Sequence, residues 1–341
     1  MNYIDLRSDT VTRPTPTMLE VMMHAAVGDD VFEEDPSVKL LEQTLAAIFG
    51  MEAGLFCPSG TMANQIAIRV HTQPQDQVIC DKRSHIYLYE GGGLAYNSMI
   101  SAKLLDGERG MITAEMIAAH INPDDVHFPK TSLVSLENTM NKGGGACYPI
   151  TQLEAIADLC KENQLKLHLD GARIFNALVA TQQPSQAYGQ LFDSISVCLS
   201  KGLGAPVGSV LLSTKAHIQQ AKRVRKVFGG GMRQAGYLAA AGLYAIEHHV
   251  DRLADDHQRA TALKELLLPL NFVEEVLPVE TNIVIFTLPA SLTAAAFLPK
   301  LEEKGLKAVP FGKHQIRFVT HLDFDDQQLE AVERILKSVQ L

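Results

Sequence analysis

Residues 195–204 read Ile195-Ser196-Val197-Cys198-Leu199-Ser200-Lys201-Gly202-Leu203-Gly204. A short β-prone run delivers a lysine directly into a glycine-rich turn. In a mostly parallel α/β sheet, the turn past a strand's carboxyl end borders the crevice where ligands collect. Further β-prone runs recur on both sides of this one, at 54–57, 78–80, 132–136, 165–169 and 210–213. Between them lie stretches of helical length and spacing. Asp35-Pro36 opens one as N-cap and first helical residue, with Val38, Leu41, Leu45 and Ile48 on one face, and 61–70 and 150–162 read as crossover helices. Alternation of strands with helices predicts an α/β fold with a mostly parallel sheet. From 251 onward the pattern changes to a helix, strands near 282–288 and 315–319, and a closing helix over 326–339, which predicts a smaller α+β unit. The expected division is an N-terminal arm over 1–14, a large α/β domain over 15–250 and a C-terminal α+β domain over 251–341.

Composition narrows the function classes. With 46% hydrophobic and 20% charged residues, 341 residues can bury a sizeable core, which excludes a disordered chain. A formal charge of −9 opposes a broad nucleic-acid surface. The five cysteines are widely spaced and contain no Cys-x-x-Cys pair, so neither a disulfide framework nor a zinc site is expected, and a reducing, cytoplasmic location fits. No uninterrupted apolar stretch reaches the ~18 residues of a membrane span, and the first residues lack the apolar core of a secretory signal. The expectation is a soluble protein that acts on a small molecule.

Lys201 is the first candidate, because a lysine desolvated in a cleft becomes a nucleophile able to form a Schiff base with an aldehyde. A bare Ser-Lys pair after a strand is more often a surface lysine, so its context decides. A second run, Leu165-Lys166-Leu167-His168-Leu169-Asp170-Gly171-Ala172-Arg173, ends in an acid on the same rim. A carboxylate there could hold the proton on a pyridine nitrogen, as pyridoxal phosphate requires, or simply cap the next turn. Cys57-Pro58-Ser59-Gly60-Thr61 places small residues just before a helix, where backbone N–H groups and two hydroxyls form an anion site suited to phosphate. His85 follows another short strand, positioned to stack on a ring or act as a base. The convergence of these four features on successive strand ends points to a cofactor site.

At these residues the sequence resembles the low-specificity L-threonine aldolases, in the fold-type I group of pyridoxal-phosphate enzymes. The stretches that carry the resemblance are Asp5-Leu6-Arg7-Ser8-Asp9-Thr10-Val11-Thr12, Val27-Gly28-Asp29-Asp30, Ser135-Leu136-Glu137-Asn138-Thr139, His168 to Ala177, Ser200 to Ser209 and Gly229-Gly230-Gly231-Met232-Arg233-Gln234. The resemblance implies a cofactor, pyridoxal 5'-phosphate, attached to Lys201, with Asp170 at its ring nitrogen and His85 stacked on its ring. Ser59, Gly60 and Thr61 would hold the phosphate, with Lys226 and Arg233 contributing across a subunit boundary. Ser8, Arg173 and Arg317 would surround the substrate carboxylate, Arg173 also bordering the cofactor, and His127 would lie near the substrate hydroxyl. The implied reaction is retro-aldol cleavage of a β-hydroxy amino acid to glycine and an aldehyde, with His85, His127 or a water they position as the base, in a homodimer or homotetramer with shared sites.

The chain departs from many relatives at Met140, where they carry histidine, and in the added glycines of Gly143-Gly144-Gly145. No metal ligand is assigned. The competing readings are another β-eliminating lyase or an aminotransferase on the same scaffold, and a catalytically idle binding protein.

Overall fold

The computed structural model describes residues 3–339. Met1 and Asn2 of the expected arm, and Gln340 and Leu341 of the expected C-terminal unit, lie outside the described residues. The dominant feature is a seven-stranded sheet built from β1 (Ala53–Cys57), β2 (Gln77–Asp81), β3 (Ser101–Leu105), β4 (Thr131–Glu137), β5 (Lys166–Gly171), β6 (Ser194–Cys198) and β7 (Ser209–Ser213), in the order β1-β7-β6-β5-β4-β2-β3. Only β7 runs against its neighbours, and β1, β5 and β6 are buried along most of their length because helices cover both faces. All six predicted runs lie in these strands to within a residue at either end; the edge strand β3 carries no such signal, because its mostly half-exposed residues, Lys103 among them, need not be apolar.

Helix α1 (Pro36–Phe49) begins where predicted: the Asp35 carboxylate accepts from the Ser37 and Val38 amides, and proline occupies the first turn. The same carboxylate accepts from Gly28 and Gly236 amides at 3.1 and 2.9 Å, tying three distant segments together. Residue 236 has to be glycine, since a Cβ there would stand 2.4 Å from Asp35 Oδ1. Helices α2 (Gly60–His71) and α3 (Ile150–Glu162) match their predicted spans closely. They are followed by α4 (Ile174–Thr181), α5 (Lys215–Val227), α6 (Gly236–His248) and α7 (Leu253–Leu267).

A second sheet of four strands contains the antiparallel pair β8 (Ile283–Thr287) and β9 (Gln315–Val319), and the final helix α8 spans Asp326–Lys337. Its own apolar cluster includes Phe272, Phe286, Phe318 and Leu336, separate from the main core around Phe49, Leu169, Val197 and Leu199. Leu6 belongs to the smaller cluster, fully buried, and Ile4–Asp5 pairs with Leu306–Lys307. The amino-terminal segment is therefore anchored on the second sheet before it turns towards the large one, which fixes where Ser8 and Asp9 fall.

Candidate active site

Register places the chemistry. Glu137 pairs with Asp170 across β4 and β5, and Asp170 pairs with Ser196 across β5 and β6, so both acids and the turn holding Lys201 share one carboxyl edge. Lys201 is half-buried, and its carbonyl accepts from the Thr12 hydroxyl at 2.9 Å. The amino-terminal segment thus clamps the lysine turn from above.

Asp170 is buried, and both of its oxygens act as acceptors: Oδ1 from the Ala172 amide at 3.0 Å and Oδ2 from Asn64 Nδ2 at 2.8 Å. The turn-capping reading of this acid is seen at Oδ1, while Oδ2 is turned to the Asn64 amide. His85 opens a short helix with its amide on Glu137 Oε2 at 2.8 Å and its Nδ1 on Glu90 Oε1 at 2.9 Å. Burial opposes the imidazolium, but the Glu90 hydrogen bond and the charges of Asp170, Glu90 and Glu137 outweigh it and raise the His85 pKa. Glu137 is pushed up to about 7 by burial and then by the Asp170 charge. His85, Glu90 and Asp170 offer ligand atoms within 4.8 Å of one another, a spacing that could hold a cation, yet the Glu90 Oε1 in that group already accepts from His85 and Asn64.

Beside these lies a cationic pair. Arg173 grips Asp9 through Nε and Nη2, each bond 2.7 Å, with both side chains buried. Burial alone would raise the Asp9 carboxyl, but the Arg173 charge and hydrogen bonds, with Lys201 and Asn282, hold it well below the usual carboxylate range. Among the described residues Arg317 has no acid partner: it donates to Asn141 Oδ1 at 2.9 Å and to the Arg7 carbonyl at 3.0 Å, and its buried Nε meets no acceptor. Burial and the neighbouring Arg173 charge lower its pKa to about 10. A half-buried guanidinium held down by a second one, with its Nε unpartnered, marks a place where an anion belongs. Ser8 caps the adjoining turn, accepting from the Thr10 amide and hydroxyl.

Ser59 caps α2 by accepting from the Met62 amide at 3.1 Å, which leaves the first-turn amides of Gly60 and Thr61 at the helix start. A Cβ on Gly60 would meet only Cys198 Sγ, 4.0 Å away, so the space beside this N-terminus is open and adjoins the end of β6. An open anion cradle, a lysine on the same edge and an acid at the floor suit the phosphate, aldehyde and ring nitrogen of pyridoxal phosphate.

Three predicted residues stand outside this network. The His127 side chain is 83% exposed and bonds Asp125. Arg233 pairs with Asp29 at 2.9 Å, and Lys226 is exposed in the last turn of α5. Conversely, Asp9, Asn64, Glu90, Glu137 and Asn141 contact the site without having been singled out. Asp9 and Glu137 sit inside the stretches Asp5–Thr12 and Ser135–Thr139 that carry the resemblance; Asn64, Glu90 and Asn141 carry no sequence signal, because their roles arise from which strand ends face them.

The sequence profile of the family described as beta-eliminating lyase matches residues 5–291. The chain belongs to the beta-eliminating lyase family. It is 42% identical over 332 residues to the low specificity L-threonine aldolase of Escherichia coli (strain K12), covering 96% of this chain and 97% of that protein. To the low specificity L-threonine aldolase of Saccharomyces cerevisiae it is 44% identical over 308 residues, covering 89% and 78%. The solved structure of Leishmania major threonine aldolase superposes with a TM-score of 0.84 at 20% identity, covering 98% of both chains. This lyase therefore has the fold-type I architecture, an α/β chain with a mostly parallel central sheet.

Proposed function

We propose that this lyase cleaves the Cα–Cβ bond of small β-hydroxy amino acids, releasing glycine and acetaldehyde from L-threonine or L-allo-threonine, with pyridoxal 5'-phosphate as cofactor. The observation that carries the reading is a half-buried lysine, a buried acid, a buried arginine and a half-buried one near one sheet edge, in a chain 42% identical nearly end to end to a low specificity L-threonine aldolase.

When bound, pyridoxal phosphate supplies the electron sink that stabilises the charge left on Cα. Lys201 would provide the amine that attaches it, Asp170 would hold the proton on its ring nitrogen, His85 would lie against its ring, and Ser59, Gly60 and Thr61 would hold its phosphate. Arg173 has spent its Nε and one Nη2 donor on Asp9, so its remaining N–H groups and the unpaired Nε of Arg317 are what the pair offers a substrate carboxylate, with Ser8 beside them. Holding that carboxylate fixes which bond to Cα is aligned for cleavage. His85 uses Nδ1 on Glu90, which leaves Nε2 to take the β-hydroxyl proton.

The exposure of His127, Lys226 and Arg233 supports a homodimer, or a tetramer of dimers, in which a second copy brings these side chains to the site. The five buried free cysteines support a reducing cytoplasmic setting, and no helix of the described residues is long and apolar enough to cross a membrane. The separate apolar clusters support a division into an arm over 1–14, a large domain over 15–250 and a small domain over 251–341.

The test is borohydride reduction of cofactor-loaded protein followed by peptide mapping, together with an acetaldehyde assay on both threonine diastereomers. Label on Lys201 and equimolar glycine and acetaldehyde are expected. An unlabelled Lys201, or 2-oxobutanoate and ammonia as the products, would overturn the proposal, and accumulation of pyridoxamine phosphate would indicate an aminotransferase.

A further inference from the structure

A line of buried polar side chains runs away from Asp170 along the face of the sheet that α2 covers. His168 and Asp170 are two residues apart on β5, Ser194 and Ser196 two apart on β6, and Asn64 and His71 seven apart on α2, so strand and helix periods bring all six to one seam. Asn64 makes the four hydrogen bonds that its amide allows. Nδ2 donates to Asp170 Oδ2 at 2.8 Å and Glu90 Oε1 at 2.9 Å, while Oδ1 accepts from Ser196 Oγ at 2.6 Å and meets His168 Nε2 at 3.1 Å. Beyond it, His168 Nδ1 meets Ser194 Oγ at 2.8 Å, and Ser194 Oγ meets His71 Nε2 at 2.9 Å.

The direction of every donor in this line follows from its end. Two carboxylates can only accept from Asn64, so the amide nitrogen faces them and Oδ1 faces His168. His168 must then carry its proton on Nε2, which makes Nδ1 the acceptor of the Ser194 hydroxyl. Ser194 in turn accepts from His71 Nε2–H. His71 Nδ1 is left as a buried lone pair with no partner among the described residues. Burial lowers both imidazole pKa values, His168 to about 4, so each ring is neutral and has one N–H to give. From His71 through Ser194 and His168 to Asn64 each hydrogen bond is donated towards Asp170, and Asn64 divides its two N–H groups between Asp170 and Glu90.

We propose that His71, Ser194, His168 and Asn64 form a polarised donor relay that makes Asp170 a weaker proton acceptor and so keeps the proton on the cofactor's ring nitrogen. Asn64 and His168 are positioning residues that act through Asp170. The inference rests on Asp170 facing that nitrogen, as assigned above. Hydrogen bonds in a chain polarise one another, so a donor removed three links away is felt at the carboxylate, more weakly than one removed next to it.

The experiment is the ring-nitrogen chemical shift of ¹⁵N-labelled pyridoxal phosphate bound to the holoenzyme, together with the cofactor Kd. The shift is expected to move from pyridinium towards pyridine values in Asn64→Ala, less in Ser194→Ala, and to return near the parent value in His168→Gln, whose amide can still donate to Asn64. The Kd of Asn64→Ala should rise on the order of ten-fold or more, the scale of a lost hydrogen bond to a charged group. Ser194→Ala removes one hydroxyl and serves if Asn64→Ala does not fold. Parent-like shifts in Asn64→Ala and Ser194→Ala, alongside a displaced shift in Asp170→Asn, would refute the relay. A parent-like shift in Asp170→Asn would instead refute the assignment of Asp170 on which the relay depends.

Discussion

Replacing Asp9 by alanine strips the counter-ion from Arg173, a guanidinium with only 5% of its side chain exposed. Nothing else in reach is an acid that hydrogen-bonds it: the bidentate contact to Asp9 is the pair, and Asn282 adds only a neutral amide to the same carboxylate. Breaking a buried pair by removing one partner costs ~3–5 kcal/mol, because the remaining charge stays in a medium that solvates it poorly. Unfolding entropy is about 2.1 cal/mol/K per residue, so for a chain of this length the penalty lowers the melting temperature by roughly 4–7 °C. The sign of the pH dependence is also fixed. Arg173 depresses the Asp9 carboxyl, so its contribution is present above the ordinary carboxylate pKa and is lost as pH falls through the lower folded value. The gap between parent and variant should therefore be full at neutral pH and close only in acid. Differential scanning calorimetry of the apo proteins between pH 3 and 8 measures it. In parallel, an Arg173 that is no longer braced should raise KM for the amino acid more than it lowers kcat. An Asp9→Ala protein that melts with the parent at pH 7, or that keeps the parent KM, would refute the argument that Asp9 orients this arginine.

Arg317→Met should behave in the opposite way on stability: it removes a half-buried cation that has no acid partner among the described residues, so the apo protein should melt no lower than the parent, while KM rises on the order of ten-fold or more from the lost carboxylate contact. A melt lowered by several degrees with KM unchanged would count against an anion site there. Glu42, which accepts from the Phe56 amide at 2.7 Å, is pushed up to about 7 by burial, so its contribution is present below its ordinary value and lost as pH rises towards 7. Glu42→Gln keeps the acceptor and removes the titration, and it should flatten the fall in unfolding free energy between pH 5 and 8 by an amount on the order of 3 kcal/mol. His127→Ala should leave the unfolding free energy within about 0.5 kcal/mol of the parent, since its side chain lies in solvent. If a second copy carries His127 to the site, turnover should fall all the same, and mixing His127→Ala with Lys201→Ala subunits should restore part of it; no restoration in mixed oligomers would argue against shared sites.

Much of this protein is written locally. The lysine in its glycine turn, the acid two residues beyond His168, the small residues before α2 and the capped start of α1 are each set by a few neighbouring side chains, and chain order alone puts the strand ends on one edge of a parallel sheet. What required the folded chain is every pairing between groups far apart in sequence. Asp9 finds Arg173, and Asn64 finds Asp170, only because Leu6 is buried in the smaller core and α2 lies across β5 and β6. The same dependence left Arg317 without an acid and His127 in solvent, neither of which its neighbours in the chain could reveal. Hydrophobic periodicity specifies which face of an element is inside; the partner a buried polar atom meets there is decided by the packing of all the elements at once.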